Sequence, residues 1–324
     1  MIKGASVNVL DFGADPTGTA DSTQAFIDAF AYITANRTTG STGGDGYGSA
    51  SVLWVPTGEY KTTAAITPAS YCTIVGENSI IQPTPTTFSI FQNIGYETRF
   101  QNLIFVGGDV ALDIATGNAD TTVITISNCE FHDQVTNSIK TNTNSASTRL
   151  TIENCKFYNT RTGCTVISIS TCDMCTITGG WATVAGTFVQ SGSSTTQAEV
   201  YISGILGVPT GGSTVWGVNY STMTWYDCRF GGEISATGIV NYAKINASVP
   251  NILSIQMCQT YLSAYVVDFA ELPNTFICKN NRGFSATDGF FFRSGISNLL
   301  DARGLTCDWI VENNNIESVE MRGL

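Results

Sequence analysis

Through most of the chain, apolar and polar residues alternate over runs of about four to six positions, each closed by Gly, Asn, Asp or Ser. Period-two runs of that length predict short strands with one buried face. One stretch departs from this period. Ala25, Phe26, Ala29, Phe30 and Ile33 recur at helical spacing and predict an amphipathic helix over 22–35. Asp21 is its expected N-cap, with Gln24 as the capping-box partner.

The strand-like runs are related to one another. Ile126-Ser127-Asn128-Cys129-Glu130-Phe131 returns as Ile152-Glu153-Asn154-Cys155-Lys156-Phe157. Weaker copies are Cys172-Asp173-Met174-Cys175-Thr176-Ile177 and Trp225-Tyr226-Asp227-Cys228-Arg229-Phe230. With the Cys position as register mark, the series is Leu103, Cys129, Cys155, Cys175, Gly204, Cys228, Cys258, Asn281 and Asn314. A period of about 20 to 33 residues suits one coil of a solenoid: three short strands and three turns. The fold expected is all-β, a parallel β-helix. Residues at the mark should stack inward at the strand spacing of about 4.8 Å, and the Asn before each mark should form an amide ladder along a turn.

The two ends of the first coil are more distinctive. Gly4-Ala5-Ser6-Val7-Asn8-Val9-Leu10-Asp11-Phe12-Gly13-Ala14-Asp15-Pro16-Thr17-Gly18-Thr19-Ala20-Asp21-Ser22-Thr23 runs from a strand through two turns into the helix. Val52-Leu53-Trp54-Val55-Pro56-Thr57-Gly58-Glu59-Tyr60 then opens the first full coil. Together they resemble the N-terminal cap of the pectate-lyase-like right-handed β-helix superfamily, in its bacteriophage tailspike version. The resemblance implies an N-terminal cap over residues 1–50, containing strand, helix and the glycine-rich stretch from Thr38. It implies a single-stranded right-handed β-helix of about nine to ten rungs over 51–324. It also implies a function: a tailspike in the virion tail that recognises and cleaves host surface polysaccharide, as a glycoside hydrolase or polysaccharide lyase. Such a protein would be a homotrimer and would join another phage tail protein. Two alternatives stay open, a non-catalytic receptor-binding spike or tail adaptor of the same fold, and a cellular polysaccharide lyase or hydrolase.

Composition narrows the partners. Only 13% of the 324 residues are charged and the net charge is −11, which argues against nucleic acid. Met1-Ile2-Lys3-Gly4-Ala5 has no apolar segment of a secretory signal, and no run of about 18 apolar residues occurs, so neither export nor membrane insertion is expected. The ten cysteines are then expected to be reduced and structural. Cys172 and Cys175 form one CxxC without a second, and His132 is the single histidine, so no metal or other cofactor is expected.

Candidate chemistry follows from the register. Glu153 and Asp173 both lie two positions before a mark and are expected to be stacked neighbours about 4.8 Å apart. That is near the carboxyl separation of glycosidases, and one of the two would hold its proton near neutral pH. The runner-up cluster is Glu130, His132 and Asp133, with Lys156 one rung on in the column of Glu130 and expected to pair with it. Trp216, Tyr220, Trp225 and Tyr226 are the candidate sugar-stacking aromatics; Trp216 and Trp225 could equally fill the core or a subunit contact.

Overall fold

The large sheet bends in every coil at a corner residue of left-handed backbone geometry. Asn78, Asn102, Asn128, Asn154, Gly179, Gly204, Asp227, Met257, Asn280 and Asn313 all have φ between +49° and +64°. The strand registers on either side place them in one column along the molecule. An L-residue in this conformation costs about 1–2 kcal/mol, which Gly avoids and Asn tolerates. The bend does not interrupt the backbone ladder. The corner N–H donates to the carbonyl just before the next corner, as in Asn128 to Glu153 (2.9 Å), Asp227 to Gln256 (3.1 Å) and Asn280 to Glu312 (3.0 Å).

The computed structural model describes residues 6–36, 51–114, 122–142, 148–193, 195–210, 214–231, 237–242, 251–261, 265–269, 273–284, 290–294 and 308–316. The glycine-rich stretch 38–50 of the expected cap lies outside them. Among the described residues every strand pairing is parallel. The strands form a 20-stranded sheet, folded at the left-handed corner, and an 8-stranded sheet. One coil is typical. Glu130–His132 lies on the large sheet, Asn137–Thr141 on the small one, and Thr148–Asn159 returns to the large sheet and crosses the corner at Asn154. Among the described residues no helix is long and apolar enough to cross a membrane.

The residue after each corner points inward. This column runs Ser79, Leu103, Cys129, Cys155, Gly180, Ile205, Cys228, Cys258, Asn281, Asn314. Cys129, Cys155, Cys228 and Cys258 are buried free thiols, as expected. Two marks are corrected. Cys175 does not belong to the column; it pairs with Leu150 and Val200, five residues earlier on its strand. Gly180 takes the place, because a Cβ there would lie 2.1 Å from the Cys155 carbonyl oxygen. Gly204 is the corner residue and Ile205 the inward one. The amide ladder is corrected as well. The corner asparagines share a backbone conformation, whereas the amide-to-amide bonds lie inward, Asn219 to Asn241 (2.8 Å) and Asn281 to Asn314 (3.0 Å).

Phe105, Phe131 and Phe157 stack through the core with centroids 5.1 Å apart at each step. Burying each ring contributes roughly 1.5–3 kcal/mol. The column then shrinks to Ala182 and Gly207, and Phe188, Trp216 and Trp225 fill the space from the other walls.

The helix Thr23–Asn36 closes the N-terminal end of the core. Ala25, Phe26, Ala29, Phe30 and Ile33 are all buried, and Phe26 meets Tyr60 and Phe91 edge-on. The expected capping box does not form. The Ser22 carbonyl accepts the Phe26 N–H, making Ser22 the cap, while the Asp21 carboxylate accepts the Thr23 N–H and the Thr23 and Thr63 hydroxyls. Gln24 donates instead to Asp28.

Candidate functional site

Past the corner, the large sheet presents a flat outer strip with two outward columns. One runs Ile104, Glu130, Lys156, Trp181, Leu206, Arg229; the other runs Val106, His132, Tyr158, Thr183, Val208. Strand alternation sends Phe131, Phe157 and Ala182 inward and leaves these side chains outside.

The charged end of the strip is a contact cluster. Glu130 takes Lys156 Nζ on one carboxylate oxygen at 2.6 Å and His132 Nε2 on the other at 3.4 Å. His132 lies flat against Tyr158, centroids 4.9 Å apart and planes 22° from parallel. Partial burial raises the Glu130 pKa, but the hydrogen bond and charge of Lys156, followed by those of His132, outweigh it and hold the carboxyl below its ordinary value. Lys156 is shifted upward by the same bond. The expected Glu130–Lys156 pair is therefore present, and it keeps Glu130 an anion. A glycosidase acid must instead hold its proton near neutral pH. Asp133 serves the turn, accepting the N–H and hydroxyl of Thr160 at 2.9 and 3.0 Å.

Toward the other end the strip becomes aromatic and apolar. Trp181 follows Lys156 in its column, is 39% exposed and donates its indole N–H to Thr183. Trp181 and Tyr158 were not among the sequence candidates. Their signal was available: Lys156-Phe157-Tyr158 and Trp181-Ala182-Thr183 alternate about inward Phe157 and Ala182.

Glu153 and Asp173 are not stacked. Glu153 faces Thr178 on the next rung, five residues beyond Asp173, so the two carboxylates stand roughly 16 Å apart along the strand direction. The cause is the misplaced mark at Cys175. Trp216 and Trp225 are fully buried, and neither indole N–H has a hydrogen-bond partner. They are core residues that offer no face to a sugar. Tyr220 stacks on Tyr242 at 5.0 Å beside the small sheet, apart from Tyr226, which is exposed on the large one. The CxxC cysteines are buried too. Burial pushes the Cys172 thiol up to about 12 and Cys175 well above its ordinary value, so neither offers a ready thiolate.

No protein-family model matches the chain, and no curated protein matches it by sequence. Solved structures do. A mutant of the tailspike of E. coli bacteriophage HK620, in complex with a hexasaccharide, superposes over 97% of this chain and 62% of its own at a TM-score of 0.65 and 12% identity. The chain folds as a right-handed, tailspike-like β-helix. The A-module of the mannuronan C-5 epimerase AlgE6 of Azotobacter vinelandii shares this fold over 97% of this chain and 100% of its own, with a TM-score of 0.52 and 14% identity. So does the ORF18 protein of Geobacillus virus E2, over 96% and 60%, at 0.50 and 15%. This β-helix thus spans less than two thirds of both viral proteins. Sequence identities this low establish the fold and leave the site to its own geometry.

Proposed function

We propose that this β-helix is a polysaccharide-recognition protein of the tailspike type, which lays a host surface glycan along the outer strip. The observation that carries the reading is the run His132–Tyr158–Trp181. An imidazole stacked on a phenol is followed one rung on by an exposed indole, and Glu130, Lys156 and Thr183 stand beside them. Flat aromatic faces take the apolar faces of sugar rings, and flanking polar groups take hydroxyls. The hexasaccharide-bound tailspike of the same fold supports the assignment. In this reading the protein acts in a virion tail, as a homotrimer attached to another tail protein.

Cleavage is the second reading. It rests on His132 and Tyr158, two proton-transfer groups in contact at one end of the strip.

The test is binding of host capsule and lipopolysaccharide by wild type, Tyr158→Ala and Trp181→Ala, with new reducing ends and unsaturated products followed in parallel. Retention by wild type and a loss of tenfold or more in both variants would support recognition. Product formation abolished in His132→Ala would support cleavage. Equal retention by all three proteins would refute the strip as the site.

A further inference from the structure

On the other side of the corner the same sheet carries a diagonal stripe. Its outward positions are Met174, Thr176 and Thr178 on one rung, Glu199, Tyr201 and Ser203 on the next, and Thr222, Thr224 and Tyr226 on the third. Met174, Tyr201 and Tyr226 each step one rung along and two residues across. Met257, at the following rung's corner, lies one rung along and one residue across from Tyr226. All four are exposed, by 42, 42, 46 and 47%. From the rung spacing and the rise per residue, the first two steps of the diagonal span about 8 Å each and the step from Tyr226 to Met257 about 6 Å.

Three features say what the stripe meets. First, the outward residues between the four are hydroxyl- and amide-bearing: Thr176, Thr178, Ser203, Thr224 and Gln256. A protein contact would be expected to centre on further apolar side chains; isolated rings amid hydroxyls match a sugar chain. Second, the exposed carboxylates Glu153, Asp173, Glu199 and Asp227 surround the stripe, against two cations: Arg149 on the rung beside Met174, and Lys279 one rung beyond Gln256, where Glu312 pairs with it at 3.2 Å. Carboxylates accept bonds from sugar hydroxyls and repel polyanions. Third, Met257 occupies a corner that otherwise holds Asn, Gly or Asp. A long side chain is held there against its backbone preference, next to Tyr226's rung.

We infer that Met174, Tyr201, Tyr226 and Met257 form a second glycan-binding run, separate from the Tyr158–Trp181 strip and selective for uncharged sugars. The inference rests on the polysaccharide-recognition reading and adds to it a second site and a ligand class.

The experiment is a printed array of bacterial surface polysaccharides, grouped into uncharged polymers and polymers containing uronate or sialate. It is probed with wild type, Tyr201→Ala, Tyr226→Ala, Tyr226→Phe, Trp181→Ala and the double variant Glu199→Gln/Asp227→Asn. Melting curves and mass photometry are run on every protein. Wild type should bind uncharged polymers, and any anionic polymer it retains should be lost in Trp181→Ala and kept in the Tyr→Ala variants. Each Tyr→Ala variant should bind at least tenfold more weakly with its melting curve unchanged, Tyr226→Phe should retain most binding, and the double variant should gain binding to polyanions. Binding to anionic polymers that Tyr201→Ala or Tyr226→Ala abolishes would overturn the ligand class. Tyr→Ala variants within twofold of wild type, with Trp181→Ala defective, would overturn the second site and leave the recognition reading standing. Unchanged glycan binding with a smaller assembly mass would make the stripe a subunit contact and overturn the inference. Retention of no polymer by any of the proteins would refute the recognition reading itself.

Discussion

The ring of Trp216 occupies the space that a side chain at Gly207 would fill: a Cβ on Gly207 would lie 2.6 Å from Trp216 Cη2. The core therefore changes construction part-way along. Phenylalanines stacked on the large sheet give way to aromatics that cross from the opposite wall. Gly207→Ala should accordingly destabilise the protein by about 1–3 kcal/mol, since the buried indole has no room to retreat. Urea unfolding checks this. An unchanged midpoint would show that Trp216 can shift.

Met257→Asn should act in the opposite direction. Asparagine tolerates the left-handed corner better than methionine, so the variant should gain up to about 1 kcal/mol by urea unfolding. On the second-site inference it should also lose glycan affinity, and opposite changes in stability and binding are the expected signature. A destabilised variant would mean that Met257 makes packing contacts that outweigh its backbone strain.

The Glu130–Lys156 pair sets a pH window. Glu130 has a lowered pKa in the folded protein, so its contribution is present above the unfolded glutamate pKa of about 4.3 and is lost as pH falls through the folded value. Lys156 has a raised pKa, so its contribution is present below the unfolded lysine value of about 10.4 and is lost as pH rises through the folded one. The stability difference between wild type and Glu130→Gln should thus be flat from about pH 5 to 10 and change at both ends. A difference that keeps changing between about pH 5 and 10 would show that this pair does not set the window.

Thiol accessibility tests the interior. Nine of the ten cysteines are buried free thiols, and the tenth, Cys307, lies outside the described residues. Burial pushes the Cys72, Cys164 and Cys278 thiols up to about 12. Native protein should therefore react with a thiol reagent at no more than one position per chain, and at all ten once unfolded. Rapid modification of several cysteines in the native state would contradict the inward column.

Local pattern alone determined the architecture. Period-two alternation, the recurrent Asn–Cys pair and the apolar stripe of the helix each report on which face of an element is buried, and burial of a strand face follows from its own residues. The inward cysteines, the Glu130–Lys156 pair and the capping helix were legible for that reason. The register between rungs was not. The corner shifts the alternation by one, so Cys175 before it and Gly180 after it both satisfy an inward pattern, and composition cannot choose between them. The choice falls to the corner. The chain bends where a left-handed residue is tolerated, and Gly179-Gly180 supplies it with no clash against Cys155. That five-residue difference separates Glu153 from Asp173. Tertiary packing likewise decided which aromatics face solvent. Trp216 and Trp225 fill the space left by Gly207 and Gly217, while Trp181, Tyr201 and Tyr226 stand on strands whose inward neighbours already complete the core.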